Sequence, residues 1–434
     1  MRTVAIALVL CLGCKDKNAE PPVAVKTAAP ASASEVTEAA YAALLIAELK
    51  KQGGDPKLHF QADKSLITDG ERQIATRNLY AEYLKLAAEE RVSAVERTAK
   101  SFSELTPDSH DPALAEVRSK LLPAVRAGLY FDFDLQSKLD KPATESKDRA
   151  VFVKLGEVTG AGVAIDQEAS MMIATSKQLE KWNISVEDAL AIATENLAAK
   201  GTPFQSVQPG LWTSPAHDNY DSSRILLLEE IKKLGLKGTV VAMIPNRDTL
   251  YLAGSQDAAA LLAMADLAEK ASEEPRPIHT VPLCLSGTTW SDCEPGPTPE
   301  VKTRMHAMAT MGRQSLYAEQ KDLLQEKLGE EVFVASYTVL QDKGTSRLVS
   351  YATWSRTVPT LLPKADRIGF VEYADGSADA KPKVLGMVPW DKAMQILGTR
   401  LKPDGRNPPR WATGEYWPSK AELARLAPAE DPFK

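Results

Sequence analysis

Histidine and cysteine are scarce, five and four among 434 residues, and aromatics make up only 6%. The histidines, His59, His110, His217, His279 and His306, are scattered, with no HExxH and no Cys/His pair at zinc spacing, so no metal site is expected. Neither GxSxG nor SxxK occurs, which removes the commonest hydrolase and penicillin-binding signatures. There is no P-loop, and Gly160-Ala161-Gly162 lacks the third glycine of a dinucleotide loop and precedes a strand, so no cofactor is expected. Basic clusters interleaved with aromatics are missing too, which excludes nucleic acid as a partner at this level. Finally, no apolar run approaches the roughly 20 residues of a spanning helix.

What is present begins at the N-terminus. Met1 to Cys14, MRTVAIALVLCLGC, has a basic start at Arg2, an apolar run from Thr3 to Leu12, and Gly13 before Cys14, the pattern of a bacterial lipoprotein signal. Cys11 stands where such signals usually carry Leu, so an ordinary cleaved signal peptide is the competing reading. On the lipoprotein reading, residues 1–13 are the signal peptide and Cys14 is the lipidation site. Residues 14–34, rich in Ala, Pro and Lys, form a disordered tether whose r.m.s. span is about 25 Å. The expected address is the bacterial cell envelope, periplasm-facing, with the membrane held through lipid on Cys14 and an envelope protein as partner. Cys284 and Cys293 are then the remaining cysteines, and the Ser-Gly turn between them lets a hairpin bring them together as a disulfide. A zinc pair lacking its other ligands, or two buried thiols, are the alternatives.

Periodicity predicts a helix over 38–51 with Ala39, Ala42, Ala43, Ile46 and Leu49 on one face, then strands at 58–62 and 66–68 and a third segment near 74–80. Helices are expected over 89–105 and 112–127, a loop over 138–149, and strands at 150–155, 162–166 and 171–174. Ser185 reads as the N-cap of a helix that ends at Gly201. An extended segment follows at 205–212, a helix at 222–234, a hairpin of 239–244 with 249–253, and a helix over 257–271. The Pro/Gly-dense stretch Glu294 to Pro299 marks a boundary between a domain over 35–296 and one over 297–434. In the second domain a helix over 300–328 precedes strands at 331–340 and 347–354 joined through Asp342-Lys343-Gly344. Strands near 367–373 and 383–388, a helix over 390–401, an irregular Pro/aromatic segment at 407–418 and a short terminal helix complete it. Helices and strands do not alternate strictly and the hairpins imply antiparallel pairing, so the expected class is α+β.

Several segments in order resemble the YtpQ-like family, a domain of unknown function. They are Asn78-Leu79-Tyr80, Leu121-Leu122-Pro123-Ala124-Val125-Arg126, Asp166, Ala193 with Asn196-Leu197, Asp218-Asn219-Tyr220-Asp221-Ser222-Ser223-Arg224, and Val240 to Pro245 with Asp248. The resemblance covers roughly 35–294 and implies an α+β domain with no established reaction. The export signal and the region after Cys293 depart from the family's pattern.

Asp218, Tyr220, Asp221, Ser223 and Arg224 form the candidate ligand or capping motif. Asp221 stands where it would cap the following helix, and Arg224 where it would pair with Asp218 across the turn. The alternative is a carboxylate pair for acid/base work. Met305, Met308 and Met311 read as core rather than a soft-metal patch. Trp354, Trp390, Trp411, Trp417 and Tyr416 read as the core of a small domain, with a glycan-stacking platform as the other possibility. The leading expectation is a non-enzymatic envelope lipoprotein that binds or interacts; the alternative is a hydrolase acting on a cell-wall or other polar substrate through Asp218/Asp221.

Overall fold

Residues 38–51 form the first helix, Glu38–Lys51, with Thr37 as N-cap accepting from the Ala40 N–H. Its buried face is Tyr41, Ala42, Leu45 and Leu49, while Ala39 and Ala43 stay exposed. The face is rotated from the alanine stripe because Tyr41 packs against Tyr83, ring centres 4.9 Å apart and tilted, and large side chains bury more apolar area than alanine. The computed structural model describes residues 36–69, 73–104, 112–132, 149–167, 171–201, 204–341, 347–372 and 383–426. The signal, Cys14, the tether, His110, most of the expected loop at 138–149 and the Asp342-Lys343-Gly344 turn lie outside them.

The first helix, a three-stranded antiparallel meander (His59–Gln61, Leu66–Thr68, Gln73–Ala75) and the helices Arg77–Lys85 and Arg91–Glu104 share one core. This unit is the first of three regions. The second is a body of two sheets. In one, Thr159–Asp166 pairs with Leu121–Ala127 on one side and with Phe152–Lys154 and Met171–Ile173 on the other, all antiparallel. The helix Val186–Ala199, opened by a Ser185/Asp188 capping box, covers it. The other sheet is antiparallel in the order Thr289–Asp292, Leu283–Ser286, Val240–Met243, Tyr251–Gly254, Leu211–Thr213, Gln205–Gln208. Its alternation assigns the faces: Val241, Met243 and Ala253 pack under the helix Ala258–Ala271, whereas Ala242 and Leu252 face Val125 and Ala161 of the first sheet.

The third region has two four-stranded sheets around a separate core that buries Trp354 and Trp390. Trp417 meets Trp354 edge-on at 5.9 Å and Trp411 meets Trp390 at 5.0 Å, so these rings pack on one another. The architecture is α+β, with several open sheets built mostly of antiparallel strands.

Three expectations are corrected. The segment 112–127 is not one helix: after the short helix Leu114–Val117 it becomes the strand Leu121–Ala127, wholly buried. A strand covered on both faces loses its alternation and reads like buried helix, although Pro123 would have broken a helix there. The segment 222–234 is a 3-10 turn, Ser222–Leu226, followed by the short helix Leu228–Lys232, because Ser222 to Ile225 are all buried and leave no polar face. Antiparallel pairing predominates, as expected, and two pairs depart from it: Leu348–Ser355 with Arg367–Glu372, and Phe333–Val334 with Thr360–Pro363, run parallel. The chain between 355 and 367 passes through the other sheet, which supplies the crossover a parallel pair needs. Finally, the Pro/Gly stretch does start a helix, Pro299–Leu328 with Thr298 as N-cap, but its first half belongs to the preceding body. Val301, Met305 and Met308 pack under the second sheet and Ala309 and Leu316 enter the core between the sheets, whereas Tyr317 sits in the third region's core.

Gly312 allows this helix to lie close, since a Cβ there would meet Thr280 Oγ1 at 2.9 Å and the Val281 nitrogen at 3.1 Å. In the body sheet, Gly162 leaves the space filled by Phe131, whose ring would be 2.5 Å from an added Cβ. The Gly160-Ala161-Gly162 run is therefore a packing feature.

Candidate functional site

The motif at 218–224 begins with left-handed backbone at His217 and Asn219, φ +50° and +71°. That turn brings Asp218 over the following 3-10 segment, where both its oxygens accept from Arg224, 2.8 Å from Nη1 and 2.9 Å from Nη2. Arg224 is buried and Asp218 partly exposed. Burial alone would raise the Asp218 carboxyl; the paired guanidinium and the Tyr220 N–H override that and hold it below the usual range.

Asp221 does not cap. Its own backbone is helical, φ −58° and ψ −47°, where an N-cap needs extended geometry, and its side chain makes no cap bond. Instead Oδ1 accepts from Ser214 Oγ at 2.7 Å and from the Ala216 N–H at 2.9 Å, so this fully buried carboxylate ties down the incoming loop. Ser223 Oγ accepts from the Val125 N–H at 3.1 Å, joining the motif to the edge of the strand Leu121–Ala127.

Tyr220 links this buried group to a cleft. Its hydroxyl donates to Asp166 Oδ1 at 2.6 Å, and burial, with that hydrogen bond, pushes the phenol far up. The cleft encloses about 1050 Å³ between the first helical unit and the body. Leu79, Glu82 and Phe102 line it from the unit; Tyr130, Asp166, Lys200, Asp218, Tyr220, Arg247 and Arg276 line it from the body. Arg276 holds the two sides together. Its guanidinium is bidentate on Glu82 at 2.5 and 2.9 Å, and its N–H donates to Asn78 Oδ1 at 3.0 Å. Its backbone is left-handed, φ +59°, making it the third non-glycine residue with that conformation around this cleft.

Of the motif, Asp218 and Tyr220 reach the cleft wall, whereas Asp221, Ser223 and Arg224 are sealed behind it. Sequence reasoning did not single out Glu82, Arg247, Arg276 or Lys200. Arg126, quoted only as part of a segment, had a usable signal: it is the one charge in the run Leu121–Ala127. It is buried behind the cleft-lining Tyr130, with Cζ 5.9 Å from the centre of that exposed ring.

The structure joins Cys284 and Cys293 as a disulfide, with Cα atoms 5.8 Å apart across the hairpin Leu283–Ser286/Thr289–Asp292. Met305 and Met308 are core, whereas Met311, also expected there, is exposed. His279 is buried, its Nε2 2.7 Å from Thr159 Oγ1, and burial beside Arg313 pulls it down to about 3, so it is neutral. Among the described residues no three His, Cys, Asp or Glu side chains are placed to hold a metal ion, and no helix is long and apolar enough to cross a membrane. Compared with protein-family models, curated proteins and solved structures, the chain finds no match.

Proposed function

We propose that this chain is a lipid-anchored protein of the bacterial cell envelope that binds a polar ligand, without transforming it, in the cleft between its helical unit and its body. The observation that carries the reading is the commitment of both motif carboxylates. Asp221 has no access to the cleft and Asp218 is locked as an ion by Arg224, so neither is free to shuttle a proton. A cleft of this size lined by fixed polar groups suits recognition. The disulfide agrees with an oxidising compartment, which supports export past the membrane and, with the signal pattern, the acylation of Cys14. The segments over roughly 35–294 that resemble the YtpQ-like family imply no reaction, and a further envelope protein is the partner that such a tethered body suits.

Purification from envelopes in mild detergent, followed by mass spectrometry under native and denaturing conditions, tests the reading. The expected result is an acylated N-terminal Cys14 and a retained small molecule recovered intact. An unacylated chain would remove the anchor. Steady turnover of ester, amide or glycoside substrates that Asp218→Asn abolishes would install the hydrolase in place of the binding protein.

A further inference from the structure

Ion pairing within the cleft leaves a charge imbalance. Arg224 is neutralised by Asp218, Arg276 by Glu82 and Arg247 by Asp248, which it contacts at 2.8 Å. Asp166 is occupied by the Tyr220 hydroxyl. Among the described residues three cations remain: Lys120 and Lys200 on the wall, and Arg126 against the Tyr130 ring. Among the described residues the carboxylate of Asp166 stands against them, which leaves the described groups of the cleft with an excess of two positive charges.

Arg126 is the unusual member. Only 7% exposed, it donates through Nη1 to its neighbour's carbonyl, Val125 O, at 2.7 Å, and among the described residues no carboxylate pairs with it. Burial, together with the nearby cations Arg247 and Arg276, pulls it down to about 10, so the bare protein bears a cost for keeping it charged. An arginine fork left without an anion in such a place is built to receive one, because guanidinium matches a carboxylate or phosphate with two parallel hydrogen bonds.

We infer that the cleft binds a small molecule carrying at least two negative charges on carboxylate or phosphate groups, one held by Arg126 beside Tyr130 and another by Lys120 and Lys200 at the wall. This rests on the binding reading given above and names its ligand class.

The test uses the full chain in detergent micelles, with inorganic pyrophosphate and citrate as separate calorimetric probes and acetate as the singly charged control. At least one of the two multiply charged probes is expected to bind, at least tenfold tighter than acetate, with affinity falling as salt rises. The probe that binds identifies phosphate or carboxylate as the preferred group. Arg126→Gln is expected to weaken binding at least tenfold and Arg126→Lys to restore part of it, while Lys302→Gln, away from the cleft, leaves it unchanged. Because Arg126 is buried, the exposed double variant Lys120→Gln/Lys200→Gln provides an independent arm, with a loss of at least threefold expected. No binding by either multiply charged probe to the folded full chain, or binding that the double variant leaves untouched, overturns the inference. Capture of neutral or cationic compounds alone would overturn it while sparing the binding reading; turnover of a bound dianion would do the reverse.

Discussion

At the scale of single residues, the 218–224 motif divides into an ion pair that local spacing predicts and a buried tie that it does not. Arg224 and Asp218 lie six residues apart across one turn, so their pairing was legible. The donors to Asp221 are Ser214 and Ala216, which reach it only because the preceding loop folds back over the motif. That difference changes the expected cost of a mutation. A lost N-cap costs about 1 kcal/mol, whereas a buried carboxylate accepting two hydrogen bonds is worth more, since a bond to a charged group contributes about 1.5–3 kcal/mol. Asp221→Ala should therefore destabilise the protein by roughly 2–3 kcal/mol in denaturant titration. A change below about 0.5 kcal/mol would place the residue among ordinary surface substitutions. Arg126 was hidden for a related reason: its strand is visible as an apolar run, but the cleft above it is made by residues from 79 to 276.

At the scale of elements, two contacts yield measurable consequences. In the strand Thr159–Asp166, Gly162→Ala would drive a Cβ to 2.5 Å from the Phe131 ring, which is held by Phe152 stacked at 4.8 Å. Overpacking of that kind costs about 1–3 kcal/mol, readable as a lowered melting temperature, and Phe131→Leu in the same chain should recover part of it. The long helix is latched at His306, whose ring nitrogens lie 2.9 Å from Glu294 Oε1 and 2.9 Å from Leu348 O. Both neighbours accept, so the ring satisfies them together only when both nitrogens carry protons. The Glu294 carboxylate, followed by the Leu348 carbonyl, accordingly raises the His306 pKa against the opposing effects of burial and Arg347, and His306 in turn lowers Glu294. A raised folded pKa gives stability that is complete below the unfolded value, about 6.5, and lost as pH rises through the folded one. Glu294 contributes above its unfolded value, about 4.3, and loses its share as pH falls through its depressed one. The latch is thus strongest between about pH 4.3 and 6.5. Melting temperature measured from pH 6 to pH 9 should fall more steeply in the parent than in His306→Gln; parallel curves would show that the latch does not titrate.

For the whole molecule, the α+β class and most elements could be read from periodicity and capping, and the start of the long helix from the prolines and Gly296. The distribution of that helix between two cores could not. Val301, Met305, Met308, Leu316 and Tyr317 are apolar at helical spacings, and nothing in the spacing says which neighbour each one meets. The tail is further fixed by Lys364 on Glu157 at 2.9 Å, and the helix by Arg313 on Asp292 at 2.9 Å. A chain ending at 296 should consequently expose the apolar face that Met305, Met308 and Leu316 cover, bind a hydrophobic dye and aggregate. The intact chain should melt in one transition by calorimetry. Two separated transitions would show that the body and the third region fold independently.

The long helix also sets the angle between what it joins. Each residue advances the helix by about 100° and 1.5 Å, so deleting a single residue between Gly312 and Tyr317 would swing everything beyond it through more than a quarter turn about the axis. The Lys364–Glu157 contact and the His306 bond to Leu348 O both span that junction and would be lost together. Residue count in this stretch is therefore under a constraint of its own: a substitution acts on the contacts of one side chain, but a change of length is read by the entire third region as a change of phase.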